Sequence, residues 1–359
     1  MVGSACPRGL EQRNDKESHV KTIRIATALA ASAVLAVMST GMVLGQDDQG
    51  VVVVESFDAA QQELPEGLSI DPQGNMYVTV GLPGFWAPGD GWLKHIDADG
   101  TKTTLAHFPD GQGPAGIVVA DGGDVYFARA NPEDEESRGV WHLASDGTTE
   151  RLPGTEQMLV PNGLAFDGRG GLLVGDSALG IVWRVALDGS GAVEPWFSEA
   201  TLVGGCGGDE MGVNGVALGE DSVYAANTDR GLLVRIPVLE DGSAGTGEVI
   251  AGDNTNECEP DALWGMDGIA LDVDGNVFAL LVMQNQLVRI DPSDGSFEVL
   301  ATEADGLFNP SSLAFGTTEG DTSSLYFVNY AVIEPGPEGN LGPAILKLDV
   351  GVDGRPLAS

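Results

Sequence analysis

Basic residues are what this chain most lacks. Its 359 residues hold 17 Lys and Arg against 54 Asp and Glu, a formal net charge of −37. Such a surface repels nucleic acid and anionic membranes, so neither is an expected partner. It favours solubility and draws in cations, and adaptation to salty or acidic surroundings accounts for most of the acidic excess. No Gly-x-Ser-x-Gly is present, which removes the serine nucleophile elbow from consideration. Histidine is rare, with four copies, and cysteine rarer still, with three.

Residues 1–45 differ from the rest. Arg8, Arg13, Lys16, Lys21 and Arg24 form a basic lead, Ile25 to Leu44 is largely apolar, and Val43-Leu44-Gly45 offers small enough residues for cleavage before Gln46. The pattern is that of a secretory signal peptide, with an uncleaved membrane anchor as the alternative. Either is set apart from the fold, leaving 46–359 as one domain. Five of the 17 basic and three of the 54 acidic residues lie in this segment, so the remainder holds 12 against 51. Export implies a secreted protein, extracellular or periplasmic, without membrane contact once the segment is removed. Cys6 lies in the lead, whereas Cys206 and Cys258 lie eight and nine residues before two copies of a repeat, in matching loops. In an oxidising compartment a Cys206–Cys258 disulfide is expected, two unpaired thiols being the alternative.

The repeat is the chain's organising feature. PEGLSID, PAGIVVA, PNGLAFD, VNGVALG, MDGIALD and PSSLAFG recur at intervals of 49, 47, 52, 53 and 44 residues. The second position carries Glu66, Ala115, Asn162, Asn214, Asp267 and Ser311 in turn. A period of this length with strand patterning marks a propeller blade, which cannot bury its own faces and must stack on neighbours. Further runs follow each motif, such as DPQGNMYV (71–78), WLKHIDADG (92–100) and TTLAHF (103–108). Alternation, β-branched and aromatic residues, and Gly/Asp turns predict four antiparallel strands per blade. The sixth copy runs out after Gly354, while VVVVESF (51–57) is a strand without a blade. The expectation is an all-β, six-bladed β-propeller whose N-terminal strand closes the last blade, protecting an open edge.

Short turns at one end and long connections at the other (81–91, 129–138, 198–213, 252–266 and 330–343) make the latter the working face. The repeated position lies at that face. Innermost strands surround a central channel, so Glu66, Asn162, Asn214 and Asp267 are expected to converge across 201 residues of sequence. Two carboxylates and two amide carbonyls are hard oxygen donors suited to one divalent cation, with water completing its coordination. The alternative is that Asn-Gly and Asp-Gly simply make turns. Phe85, Trp86, Trp92 and Trp264 could wall a substrate pocket or pack loops, and Asp176 and Asn227, which end second strands on the same face, are further candidates to line it. His95 and His142 share a third-strand position with Arg184, Arg235, Arg289 and Lys347, which suggests a structural role, and His107 belongs to a fourth strand. None is an expected catalytic base.

LPEG, VPNGLAFD, GVNG and MDGIALD resemble the motifs of the gluconolactonase and regucalcin (senescence marker protein) family of six-bladed propellers. Diisopropyl fluorophosphatases and paraoxonases are more distant relatives, and the similarity covers residues 51–359. The resemblance implies that Glu66, Asn214 and Asp267 are metal ligands and that Asn162 touches metal or substrate. It implies hydrolysis of lactones, or of phosphoesters or P–F bonds in some branches. Ala115 stands where paraoxonases place a histidine, which argues against that acid–base chemistry. Ala270 stands where fluorophosphatases have an Asp serving a second calcium, so a single metal is expected. The expected protein is thus a monomeric, divalent-metal-dependent hydrolase of a small-molecule lactone or ester. Its cation is Ca²⁺, with Mg²⁺, Mn²⁺ or Zn²⁺ as alternatives, and Asp267 is its base or nucleophile. Asn162, Phe85, Trp86 and Trp264 are expected at the substrate. The alternative is a non-enzymatic binding module whose ion stiffens the channel.

Overall fold

Strand-forming runs separated by Asp/Gly turns become sheets of four. A computed structural model describes residues 50–81, 89–109, 111–144, 146–205, 211–252, 262–332 and 336–356. The expected signal segment, the Cys206–Cys258 pair, Phe85 and Trp86 lie outside these residues. Strand β1 is Val52–Ser56. Blade 1 comprises β2 (Pro65–Ile70), β3 (Met76–Val80), β4 (Gly91–Ile96) and β5 (Lys102–Phe108). Blade 2 comprises β6 (Pro114–Val119), β7 (Val125–Arg129), β8 (Gly139–Leu143) and β9 (Thr149–Arg151). Blade 3 follows with β10 (Pro161–Phe166), β11 (Gly171–Asp176), β12 (Ile181–Ala186) and β13 (Val193–Phe197). Blade 4 has β14 (Val213–Leu218), β15 (Ser222–Asn227), β16 (Leu232–Pro237) and β17 (Glu248–Ala251). Blade 5 has β18 (Met266–Leu271), β19 (Val277–Leu281), β20 (Gln286–Ile290) and β21 (Phe297–Ala301).

The last sheet is completed from both ends of the fold. Strands β22 (Pro310–Phe315), β23 (Ser324–Asn329) and β24 (Ala344–Asp349) take β1 as their outer neighbour, antiparallel, with Val52 opposite Lys347. The N-terminal strand therefore closes the ring as its sequence implied. Innermost strands β2, β6, β10, β14, β18 and β22 each contact the next around the ring, β22 returning to β2.

Each blade buries its faces against its neighbours. Six hydrophobic clusters fill the six seams, each drawing residues from two adjacent blades. Between blades 5 and 6, for example, Phe278 meets Phe315 edge-on at 5.3 Å. This is why no blade is stable alone: its apolar surface is covered only by a partner. Between first and second strands the turns are organised by aspartate. Asp71 accepts from the backbone N–H of Gln73 and Asn75 and from the Asn75 side chain, and Asp272 repeats the pattern with Asn276.

The shared third-strand position also holds together. His95, His142, Arg184, Arg235, Arg289 and Lys347 all occupy the same register against the second strand. Each faces an acid: Asp97, Asp124, Asp167, Glu248, Glu298 and Asp321 respectively. His107 lies at the exposed surface against Asp90, 2.8 Å away, and Trp92 stacks on it. Trp92 therefore packs toward the outer strands, outside the channel lining.

Candidate functional site

The dipeptides that repeat along the sequence are strand interiors, not turns. In all six blades the pairing of first and second strands is irregular across the same two residues. They are Glu66-Gly67, Ala115-Gly116, Asn162-Gly163, Asn214-Gly215, Asp267-Gly268 and Ser311-Ser312. A bulge re-aims the side chain it carries, and here it does so at one height around the ring. The glycine is required by close approach between blades. A Cβ on Gly116, Gly163, Gly215 or Gly268 would lie 2.2, 2.3, 2.4 or 2.5 Å from the carbonyl oxygen of Asn162, Asn214, Asp267 or Ser311 in the next blade. None of these glycines has a positive φ, so contact and not turn geometry selects them. Blade 6 has Ser312 instead, which accepts from Leu68 N–H, while the Ser311 hydroxyl donates to the Glu66 carbonyl at 2.8 Å.

Glu66, Asn162, Asn214, Asp267 and Ser311 line one central channel, a cavity of about 80 Å³. The four expected ligands are thus brought together, and Ala115 is buried with no donor to offer. The lining contains no basic side chain. Among the described residues no three His, Cys, Asp or Glu side chains converge, so any cation here takes its remaining protein donors from the asparagine carbonyls.

Two carboxylates in a narrow bore without a counter-charge resist ionisation. Burial pushes the Glu66 carboxyl up to about 8, opposed by a hydrogen bond from Thr79. Its Oε2 is buried without a hydrogen-bond partner. Asp267 is half-buried and opens onto the channel. Burial first, then the proximity of Glu66, holds its carboxyl well above the ordinary range, opposed by a hydrogen bond from Asn214.

Hydroxyl groups on the second strands support these side chains, and the sequence did not reveal them. The Thr79 hydroxyl accepts from Gly67 N–H at 2.7 Å as well as donating to Glu66. Thr228 accepts from Asn214 Nδ2 at 3.1 Å and donates to the Met266 carbonyl at 2.8 Å. Ser177, at the corresponding position of blade 3, donates to the Val213 carbonyl at 2.8 Å. Tyr330, at the corresponding position of blade 6, is buried and lies near both carboxylates, which with burial raise its hydroxyl well above the usual tyrosine range. No constant offset from the repeat marks these residues: Ser177, Thr228 and Tyr330 directly follow their second strands, whereas Thr79 lies inside β3.

Other expected residues lie elsewhere. Asp176 is fully buried and accepts from the N–H groups of Leu159 and Val160 at 2.9 and 3.0 Å. Asn227 donates to the carbonyls of Thr201 and Val203. Both tie the incoming loop to their own blade, so neither lines the pocket. Asn329 does the same in blade 6, bonding Phe308 N–H and the Gly306 carbonyl. Trp264 is half-buried beside β18, with its carbonyl accepting from Gln284, and is not part of the channel wall. His95, His107 and His142 are likewise outside the lining.

A ring of six four-stranded blades around an acidic, oxygen-lined channel defines the class: a six-bladed β-propeller with a polar axial site. No family model matches the chain and no curated protein matches its sequence. Solved structures do. A calcium-binding protein, regucalcin, from Agrobacterium tumefaciens is 18% identical over 85% of this chain and 97% of its own, with a TM-score of 0.61. A gluconolactonase from Xanthomonas campestris is 16% identical over 85% of this chain and 89% of its own, with a TM-score of 0.58. A luciferin-regenerating enzyme is 14% identical over 86% of this chain and 99% of its own, with a TM-score of 0.61. The chain therefore shares its fold with gluconolactonase and regucalcin propellers, several of whose structural relatives are enzymes.

Proposed function

We propose that this chain is a divalent-cation-dependent hydrolase of lactone or related ester bonds. The observation that carries the reading is the channel-lining Glu66–Asp267 pair, raised in pKa, with an orphaned Glu66 Oε2 and no basic side chain in the lining. A site of this kind lacks a positive charge, and its all-oxygen donors fit a hard cation. Glu66, Asn162, Asn214 and Asp267 would hold it. Ca²⁺ is the expected ion, as millimolar calcium is available outside cells, with Mg²⁺, Mn²⁺ or Zn²⁺ as alternatives. When bound, such a cation polarises a substrate carbonyl and offsets the negative charge that develops on its oxygen.

The protein's own groups supply the rest. Asp267, once ionised, is the base placed to take a proton from an attacking water, or the nucleophile itself. Asn162 lines the same wall and would orient the substrate through its amide. A channel of about 80 Å³ holds an ion and a few waters. The acyl group would be presented to them from the mouth. The likeness to a gluconolactonase supports the reaction class, and the likeness to a calcium-binding regucalcin supports the ion. The narrow bore favours one second reading, a binding propeller whose ion is structural.

The test is to measure bound cation in the purified chain and to screen lactones and aryl esters with and without chelator. Hydrolysis that is lost to chelator and restored by Ca²⁺ is expected. Asp267→Asn should reduce kcat/KM by roughly 10²–10⁴-fold, and full activity in that variant would refute the assignment.

A further inference from the structure

Among the groups around the channel, Thr228 has a role not covered by the ligand set. We propose that Thr228 is the positioning residue that decides which end of the Asn214 amide faces the cation. The inference rests on the metal reading above. An asparagine amide can turn over and present either a carbonyl oxygen or an NH₂ group, and only the oxygen can coordinate a cation. The neighbouring hydrogen bonds resolve that choice.

The Thr228 hydroxyl has one proton, and it is given to the Met266 carbonyl at 2.8 Å. Only its lone pairs remain for Asn214, so the atom 3.1 Å away must be a donor, Nδ2. Turning the amide over would set Oδ1 against the Thr228 oxygen, which has no proton left to give, so Oδ1 is the end available to an ion. The chain of donors runs one way, from Asn214 through Thr228 to blade 5, and reversal would strand the Met266 carbonyl in a buried site.

The backbone of Thr228 makes this anchor rigid. Its N–H donates to the Gly212 carbonyl at the entry to blade 4, and its carbonyl accepts from Gly265 at the entry to blade 5. One residue thus ties together the two segments that lead into Asn214 and Asp267. Ser177 repeats half of the arrangement, donating to Val213 just before Asn214, but its hydroxyl is not bonded to a ligand side chain. The role of orienting an amide ligand therefore belongs to Thr228 alone among the described residues.

The test compares full-length wild type with Thr228→Val, which keeps the shape and removes the hydroxyl, and with Thr228→Ser, which keeps the hydroxyl. Calorimetric titration with Ca²⁺ should show the Val variant binding about 10–100-fold more weakly, as loss of a group that orients a ligand does. The Ser variant should bind as wild type. Luminescence decay of bound Eu³⁺ in H₂O and D₂O should count one more coordinated water in Thr228→Val, because an oxygen ligand has been lost. Unchanged affinity and water count in Thr228→Val would overturn the proposal, as would equal losses in Val and Ser variants, which would point to packing. Wild type that binds neither ion would overturn the metal reading and this inference together. If Thr228→Val does not fold, Thr228→Ala removes the same hydroxyl and is judged by the same outcomes.

Discussion

Replacing Glu66 with glutamine should stabilise the metal-free protein, and by an amount that depends on pH. The carboxyl has an ordinary value of 4.5 and is raised to about 8 in the fold. A carboxyl with a higher pKa in the folded chain takes up a proton on folding. Its contribution to stability is complete below 4.5 and is lost as the pH climbs through about 8. At pH 7 the folded chain must protonate a group that is ionised when unfolded, at a cost of about 3 kcal/mol. At pH 5 the cost is under about 1 kcal/mol, and at pH 9 it approaches roughly 5 kcal/mol. A glutamine in its place carries no charge to neutralise, so the variant escapes this penalty. For a propeller of this size, about 3 kcal/mol corresponds to a rise of roughly 5 °C in Tm.

Thermal and urea unfolding of both proteins, followed by circular dichroism in chelator at these three pH values, would show the gap widening with pH. Adding Ca²⁺ should reverse the order at pH 7, because wild type gains a ligand that the variant holds poorly. A difference in stability that does not change with pH, or a less stable glutamine variant at pH 9, would refute the account of the channel as a site short of positive charge.

The remaining expectations concern the scaffold. Gly215→Ala would place a Cβ 2.4 Å from the Asp267 carbonyl, against backbone that cannot yield easily. A loss of about 1–3 kcal/mol is expected, and an unchanged urea midpoint would show that this glycine is not selected by blade contact. Asp176→Ala should lower stability by about 1–3 kcal/mol through the unpaired N–H groups of Leu159 and Val160, yet leave Ca²⁺ affinity as in wild type. Weakened binding with unchanged unfolding would return Asp176 to the pocket.

Much of the site was legible because its register is repeated. The side chains at 66, 162, 214 and 267 were identifiable as a set since each precedes an identical glycine, and that glycine answers to one constraint met in five blades. The support residues were not legible for the opposite reason. Thr228 and Tyr330 directly follow their second strands, where other blades carry Gly81 or Ser177, and Thr79 lies inside β3, so no shared residue type marks them. Asp176 and Asn227 were misplaced because a polar residue ending a strand at the working face can turn toward the channel or toward its own incoming loop. Three-dimensional hydrogen bonding alone makes that choice.

The order of strands, the number of blades and closure by the N-terminal strand were all determined by the sequence itself. They follow from local alternation, turn chemistry and a period, none of which depends on contacts between distant residues. What tertiary structure decided was the state of the site. Only ring closure brings Glu66 of blade 1 beside Asp267 of blade 5, and only burial in a narrow bore keeps their carboxyls from ionising freely. The pairing of two carboxyls in a channel without a basic side chain is thus a property of the assembled ring and of no segment within it.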